Sequence, residues 1–222
     1  MRIASFDMGR KNFAFCVEEV DEAELCAASA LLPGARARYG SDGRATPAMA
    51  AVLGAVYRSG RVLLLDNVDL TAGEQVVSRS EVDPVVFVNM TKVLDQHADH
   101  WAACDLILLE QQMHFGRRQN HVAVKLAQHC YSYFSFQFGL FKEVVNYPAY
   151  HKTRVLGAPK KMTKSQRKRW AVEEARAVLA AQEDHDALAL LLSRKKQDDL
   201  ADVLVQLQSF KVRHLDKVKV TE

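Results

Sequence analysis

The 222-residue sequence has no apolar run close to the length of a membrane-spanning helix, which needs about 20 residues. Its four cysteines are scattered, without the CxxC or Cys/His spacing of a zinc site. Asp7 and the pair Arg10-Lys11 interrupt the apolar start, so we expect no secretory signal peptide. Internal repeats and low-complexity tracts are missing too. These absences predict a soluble, intracellular protein that is not secreted, has no membrane partner and keeps its thiols reduced.

Positive charge is modest in total but uneven along the chain. The formal net charge is +3 at pH 7. Residues 151–170 nevertheless contain no acid and eight basic residues: Lys152, Arg154, Lys160, Lys161, Lys164, Arg167, Lys168 and Arg169. A basic segment separated from the acids is typical of proteins that bind a phosphate backbone. We therefore predict that these eight residues bind DNA.

The pattern of apolar residues and breakers predicts an α/β protein. Strands are expected at residues 2–8, 12–20 and 61–66, with a tight Gly9-Arg10-Lys11 turn between the first two. Further along we expect a helix over 83–102, a strand over 106–111, a helix over 117–138, a strand over 141–146, a loop over 147–162, helices capped by Thr163 and Asp184, and a last helix over 195–212. This order predicts a ribonuclease-H-like fold, with a five-stranded mixed sheet, three antiparallel N-terminal strands and flanking helices.

Residues 21–60 differ from the rest of the chain. They are rich in Ala, Gly and Arg, show weak periodicity and contain several breakers. A long irregular stretch is uncommon inside a compact domain. We therefore expect a single domain over 1–222 that carries an insertion at 21–60, with one short helix over 47–57.

Four acidic residues stand at positions that favour a metal site. Asp7 ends the first apolar run, and Glu110 directly follows the run Leu106–Leu109. Asp199 and Asp202 are three residues apart, so one helical face carries both. Converging carboxylates repel one another unless a cation neutralises them, and oxygen ligands favour Mg²⁺ or Mn²⁺. The combination predicts a metal-dependent phosphoryl-transfer nuclease.

Simpler explanations exist for each acid taken alone. Asp7 precedes Gly9 and can cap a turn, and Asp198, Asp199 and Asp202 can form a solvated helical face. The combination of all these positions favours two Mg²⁺ ions, about 3.5–4 Å apart, that share one phosphate oxygen. Asp7 would bridge the ions, and Asp198 is an additional candidate ligand.

Two lysines are candidates for a direct catalytic role. Lys152 and Lys164 are placed to stabilise charge in the transition state or to assist the attacking water. The alternative for each is a purely electrostatic role in phosphate binding.

Three segments together resemble the motifs of RuvC-like Holliday junction resolvases. The stretch Ser5–Ala14 (SFDMGRKNFA) resembles the opening motif, in the form closest to the poxviral and fungal mitochondrial branch. Glu110–Met113 (EQQM) resembles the second motif and Lys196–Asp202 (KQDDLAD) the last. The stretch between Lys152 and Lys164 resembles the segment that supplies the active-site lysines. The resemblance covers residues 1–18 and about 104–212.

The resemblance implies a homodimeric endonuclease. Such an enzyme nicks two opposing strands of a four-way DNA junction symmetrically and leaves 5′-phosphate and 3′-hydroxyl ends. It implies roles in DNA recombination and repair or in resolving viral concatemers, and a location in a viral factory, the host cytoplasm or a mitochondrion. Asp7, Glu110, Asp199 and Asp202 would be the metal-binding acids, and no small-molecule cofactor is expected.

Other residues are candidates for contacts with DNA or with a second subunit. Lys11, Arg117 and Arg118 are expected to bind phosphates, and Phe115 to wedge against a base at an opened junction, unless it is a core residue. The helix over 117–138 carries a surplus of aromatic residues that suits a dimer interface. Two other functions stay open: a nuclease for other branched DNA or RNA–DNA hybrids, and a non-catalytic junction-binding protein.

Overall fold

Five strands and nine α-helices make up the described part of the chain, which comprises residues 1–75, 81–112 and 120–218 of a computed structural model. In chain order they are β1 (Arg2–Asp7), β2 (Phe13–Val20), α1 (Glu22–Ala30), a 3-10 turn (Ala35–Ala37), α2 (Pro47–Arg58), β3 (Gly60–Val68), α3 (Pro84–Gln96), α4 (Ala98–Ala102), β4 (Leu106–Gln111), α5 (His121–Phe138), β5 (Glu143–Pro148), α6 (Tyr150–Val155), α7 (Lys164–Ala181), α8 (His185–Ser193) and α9 (Asp198–Val218).

The strands form one mixed sheet in the order β3-β2-β1-β4-β5. The first three strands are antiparallel neighbours, and β4 and β5 continue the sheet in parallel with β1. The predicted ribonuclease-H-like arrangement is therefore confirmed. In the parallel pair Phe6 lies opposite Leu109, so Asp7 and Glu110, the next residues of β1 and β4, come to the same edge of the sheet.

Alternating side chains of β1 divide the interior into two apolar clusters. Ile3 faces one cluster, which it shares with α1, α2, α7, α8 and α9. Ala4 and Phe6 face the other, where α3, α4 and α5 pack with Phe134 and Trp101 at the centre. The period of two along β1 thus gives a three-layer structure with helices on both faces.

The expectation for residues 21–60 is wrong in its secondary structure. This segment contains α1 as well as α2, and both pack into the first apolar cluster through residues such as Leu25 and Val52. Asp21 caps α1 by accepting hydrogen bonds from the backbone N–H groups of Ala23 and Glu24. The helix escapes a periodicity search because its sequence, EAELCAASA, has no distinct apolar face. Whether the segment is an insertion stays a prediction.

The expected loop over 147–162 is also wrong, because it contains the six-residue helix α6. The prolines and the positive charge of this segment are typical of a loop, so the sequence did not predict the helix, in which Lys152 is buried. Other boundaries shift: the helix expected over 83–102 divides at His97, β5 begins at Glu143, and α9 runs over 198–218.

The predicted helix caps at Thr163 and Asp184 are confirmed. Thr163 forms a capping box with Gln166, in which each side chain bonds to the other residue's backbone N–H. Asp184 accepts a hydrogen bond from the backbone N–H of Ala187 at 2.9 Å.

The four cysteines are free, with Cys26 exposed and the others buried. Among the helices described, none combines the length and apolar composition needed to cross a membrane.

Candidate active site

Asp7 and Glu110 meet at the edge of the sheet where β1 and β4 end. The two side chains lie close enough for each to shift the pKa of the other. The backbone leaves β1 through a tight turn, because a Cβ atom on Gly9 would lie 2.7 Å from the carbonyl oxygen of Asn12. Only glycine fits this close approach, so the Gly9 turn returns the chain to β2 within a few residues of Asp7.

Lys152 and Asp202 complete a group that we call the acid–lysine cluster, defined by Asp7, Glu110, Asp202 and Lys152. The Lys152 Nζ atom lies 3.1 Å from Glu110 Oε1 and 3.0 Å from Asp202 Oδ1. The Lys152 side chain is only 8% exposed, whereas Asp202 is 32% exposed. The cluster is therefore buried on the lysine side and open to solvent beside Asp202.

Helix α9 is fixed behind the cluster by polar contacts to β1. The Gln206 amide nitrogen donates to Ser5 Oγ at 3.1 Å and to the backbone carbonyl of Phe6 at 3.3 Å. Gln206 is one helical turn after Asp202, so these bonds set the distance between Asp202 and the end of β1. The sequence alone gave no indication of this contact.

The neighbouring acids of α9 bind other lysines. Lys196 Nζ lies 2.7 Å from Asp199 Oδ1, and Lys168 forms an ion pair with Asp198. With its amide oriented so that the oxygen faces Lys196, Asn12 accepts a hydrogen bond from the same ammonium at 2.8 Å. Lys196 thus joins the turn after β1 to the first turn of α9, and it is a site residue that sequence reasoning missed.

Burial and mutual repulsion raise the pKa of Asp7 well above its ordinary value, with Glu110 as the main neighbouring charge. Burial also raises the pKa of Asp202, although Lys152 opposes that shift. For Glu110 burial is the largest single effect and acts to raise the pKa, but the Lys152 ammonium and the neighbouring Asp7 together lower it below its ordinary value. Asp7 is therefore the carboxyl group of this pair whose pKa is raised, and Glu110 is the one whose pKa is lowered.

Lys152 stays protonated in this surrounding. Burial alone would lower the pKa of its ammonium, but Asp202, Glu110 and Asp7 together raise it above the ordinary lysine value. A lysine with a raised pKa is a fixed positive charge at neutral pH and a poor general base.

The donor set fits a hard divalent cation. Three carboxylates face one ammonium, so two negative charges remain unbalanced when all three acids are ionised. Carboxylate oxygens are the ligands that Mg²⁺ and Mn²⁺ favour. In the ranges 1–75, 81–112 and 120–218, no group of three Asp, Glu, His or Cys side chains is already arranged to hold a metal ion. Lys152 lies between two of the acids instead, and the metal roles of all five predicted ligands remain predictions.

The predicted DNA-binding residues fall into three groups. Lys11 lies exposed in the turn after β1, and Arg154, Lys160, Lys161, Lys164, Arg167 and Arg169 are exposed along α6, α7 and the loop between them. Lys168 and Lys152 are paired with acids: Lys168 with Asp198, and the buried Lys152 with Glu110 and Asp202. Phe115, Arg117 and Arg118 lie outside the described residues. In the part of the chain that is described, Lys164 has no ion pair with the acids, so the two candidate catalytic lysines are in different surroundings.

Three solved structures with a similar fold carry related names. The fowlpox virus Holliday junction resolvase matches with a TM-score of 0.55 and 13% sequence identity, over 95% of this chain and 98% of that chain. The yeast mitochondrial Holliday junction resolvase matches with a TM-score of 0.56 and 13% identity, over 99% and 84%. RuvC from Thermus thermophilus gives 0.52 and 16%, over 96% and 97%. The chain therefore has the RuvC-like form of the ribonuclease-H-like fold, as its motifs predicted.

Relatives by sequence occur in invertebrate iridescent viruses. Uncharacterized protein 97L of invertebrate iridescent virus 3 is 32% identical over 94% of this chain and 98% of its own length. Uncharacterized protein 170L of invertebrate iridescent virus 6 is 27% identical over 96% and 89%. This chain belongs to the protein family of 97L. No family model matches it.

Proposed function

We propose that this protein is a metal-dependent endonuclease that resolves four-way DNA junctions. The observation that carries the proposal is the acid–lysine cluster: three acids from β1, β4 and α9 converge on one lysine at an open edge of the sheet. Three structural neighbours with this fold are named as Holliday junction resolvases or RuvC. The viral relatives favour a role in viral DNA recombination or concatemer resolution, inside the infected cell.

Asp7, Glu110 and Asp202 would hold the metal, with Asp199 and Asp198 available once Lys196 and Lys168 release them. We propose two Mg²⁺ ions, for which Mn²⁺ can substitute. When bound, the ions supply an activated water and a charge that stabilises the leaving 3′ oxygen. Because the pKa of Asp7 is raised, a proton and a metal compete for this carboxylate, and metal binding strengthens as pH rises.

Lys152 would stabilise the negative charge that builds on the scissile phosphate. Its raised pKa keeps the ammonium charged at neutral pH, which argues against a role in deprotonating water. Glu110 and Asp202 hold the ammonium from two sides, so its position is fixed before the substrate arrives. Lys164 is exposed and would contact phosphate from the rim of the site.

The basic surface along α6 and α7 would track the DNA backbone next to the site. Its lysines and arginines follow Lys152 along the chain, whereas the acids come from β1, β4 and α9. This separation lets one surface attract phosphates while the cluster keeps its negative charge for metal.

Cleavage of a four-way DNA junction with a mobile core and fixed arms, in Mg²⁺, tests the proposal. Comparison substrates are a linear duplex, a splayed fork and an RNA–DNA hybrid. We expect paired symmetric nicks with 5′-phosphate and 3′-hydroxyl ends, lost in Asp7→Asn. The matched control is Asp99→Asn, which makes the same chemical change at an exposed residue of α4 on the opposite face of the sheet.

Other results would change the function in defined ways. Equal cutting of the hybrid or the fork would keep the nuclease chemistry and reject the junction as substrate. Junction binding without cleavage in Mg²⁺ or Mn²⁺ would indicate a non-catalytic junction-binding protein. Activity that survives Asp7→Asn would reject the acid–lysine cluster as the active site.

We also propose a homodimer, because two active sites related by a two-fold axis match the symmetry of a four-way junction. The apolar end of α5 offers a surface for the second copy: Phe136, Leu140 and Phe141 are 89%, 103% and 99% exposed. The two phenylalanine rings and the leucine side chain would be buried in a dimer. Sedimentation of the wild type and of the Phe136→Ser, Phe141→Ser double variant tests this proposal. If the double variant kept the mass of a dimer, this surface would be rejected as the interface. If the wild type were a monomer, the dimer itself would be rejected.

A further inference from the structure

A cavity lies beside helix α6, the helix that carries Lys152, and Thr153 and Arg154 of that helix line it. It measures about 600 Å³ and opens between the segment 35–43 and the segment 153–167. We call it the basic pocket and define it by the residues that matter here: Ala35, Tyr39, Arg154, Lys160, Met162 and Arg167. Its volume lies in the range of pockets that hold a small molecule or a single nucleotide unit.

Backbone and side-chain hydrogen bonds hold the two walls of the pocket together. Tyr39 Oη donates to the backbone carbonyl of Val155 at 2.5 Å, and the backbone N–H of Lys160 donates to the carbonyl of Asp42 at 2.8 Å. A Cβ atom on Gly157 would lie 2.6 Å from the backbone nitrogen of Ala45, so the walls approach as closely as glycine permits. The pocket is therefore built into the fold.

The lining combines positive charge with apolar surface. Arg154, Lys160 and Arg167 contribute cations, and no carboxylate lines the cavity. Among the described residues neither arginine has a carboxylate partner, whereas Lys160 donates to the backbone carbonyl of Ser41 at 2.9 Å. Tyr39, Met162 and neighbouring small residues provide the apolar part. An anion alone would not need this apolar wall, but a nucleotide has a phosphate for the arginines and a flat base for the tyrosine and methionine.

Helix α6 joins the pocket to the proposed catalytic centre. Lys152 contacts Glu110 and Asp202, and the next two residues, Thr153 and Arg154, line the pocket. Consecutive residues of a short helix point in different directions, so α6 presents one side to each site. A nucleotide in the pocket would therefore lie within a few nucleotides of the scissile phosphate on the same DNA strand.

We propose that the basic pocket binds one unstacked nucleotide of the DNA strand being cut, and so selects the sequence at the cleavage position. The assignment of DNA as the source of this nucleotide rests on the proposed function; the affinity of the pocket for a nucleotide does not. Unstacking is easiest at an opened junction centre, where the base has lost part of its stacking.

The first experiment uses the protein without DNA. We expect deoxythymidine 5′-monophosphate to shift the ¹³C-methyl NMR signal of Met162 in a saturable way, and thymidine or inorganic phosphate to do so far less. Ala35→Trp should abolish the shift, because the indole fills the pocket without removing any charge. The control Ala37→Trp changes an exposed alanine of the same turn that does not line the pocket, and it should behave as wild type. An equal response to phosphate alone would overturn the nucleotide assignment.

The second experiment identifies the source of the nucleotide. Four-way junctions carry 2-aminopurine at one position near the nick, and binding is measured in EDTA so that no cleavage occurs. We expect a several-fold rise in fluorescence at one position, absent in Ala35→Trp and present in Ala37→Trp. In Mg²⁺, Ala35→Trp should lower kcat/KM for the preferred sequence by about 10- to 100-fold and flatten the sequence preference.

The outcomes separate the two proposals. If the monophosphate binds but no position in the junction responds, the ligand is a free nucleotide and the inference about DNA is overturned. If neither ligand responds while wild type still resolves junctions, the pocket proposal fails and the proposed function stands. If the protein does not cleave junctions but the monophosphate still binds in the pocket, the proposed function fails and a nucleotide-binding site remains.

Discussion

Among the residues that the structure describes, two lysines are buried against carboxylates, and they differ in how many acids they face. Lys211 lies 2.5 Å from Glu18, both side chains are 0% exposed, and Gln208 donates to the other Glu18 oxygen at 2.6 Å. Lys152 lies about as close to Glu110 and Asp202, but Asp7 adds a third carboxyl group and one side of the cluster is open.

The difference separates a balanced structural ion pair from the proposed metal site. In the Lys211 pair one positive charge meets one negative charge, and Gln208 donates a hydrogen bond to the second Glu18 oxygen. Gly60 makes room for it, because a Cβ atom there would lie 1.8 Å from Glu18 Oε1. In the acid–lysine cluster the charges do not balance, and the pKa values of Asp7 and Asp202 are raised. A buried charge is thus no sign of function by itself. A buried group of charges that do not balance, beside an opening to solvent, is such a sign.

Breaking the balanced pair should have the largest effect on stability. Glu18→Gln leaves the Lys211 ammonium buried without a counter-charge, and we expect a loss of about 3–5 kcal/mol in the free energy of unfolding. Urea denaturation followed by circular dichroism measures it. The control replaces both residues with methionine, which removes both charges and should recover much of the loss. If Glu18→Gln alone were as stable as wild type, the interior would tolerate an unpaired charge.

Breaking the unbalanced cluster should affect activity and stability in opposite directions. Asp7→Asn would remove a proposed metal ligand, and we expect junction cleavage to fall by at least about 10²–10³-fold. The same change removes carboxylate repulsion, so the melting temperature without metal should rise or stay unchanged at pH 7. Parallel cleavage and thermal melting assays measure both. A large loss of stability would place Asp7 with Glu18 as a structural acid.

The pH dependence of stability should come from the unbalanced cluster. The folded pKa of Asp7 is raised above the ordinary aspartate value of about 3.9. Its contribution to stability is therefore fully present below the unfolded pKa and is lost as pH rises through the folded pKa. We expect the melting temperature in EDTA to fall over this window more in wild type than in Asp7→Asn. Mg²⁺ should reverse the fall, since it binds the ionised form. Identical profiles for the two proteins would contradict the pKa shift of Asp7.

The sheet and the acids of the site could be predicted because each depends on local sequence. Apolar runs that end in Asp7 and Glu110 predict two strands that finish with a carboxylate, and parallel pairing then brings the two ends together. The spacing of Asp199 and Asp202 likewise predicts one helical face. The caps at Thr163 and Asp184 follow from residue type alone.

The lysine contacts could not be predicted, because they depend on distances between elements. The sequence singled out Lys152 and Lys164 together from eight basic residues, but it did not indicate that Lys152 is buried among three acids whereas Lys164 is exposed. Lys168, from the same run, binds Asp198 instead. The helix α1 was missed for a related reason: its small residues gain their burial from neighbours that the local sequence does not reveal.

A third lysine–acid pair tests whether exposure alone removes these effects. Lys168 contacts Asp198 at the rim of the site, where the two side chains are 44% and 15% exposed. Water screens such a pair, so Lys168→Ala should change the free energy of unfolding by no more than about 1 kcal/mol. Arg61→Ala, which breaks a surface pair with Glu19 far from the site, is the matched control in the same urea experiment. If Lys168→Ala cost as much as Glu18→Gln, closeness of opposite charges would matter more than burial, and the contrast between Lys152 and Lys211 would lose its physical basis.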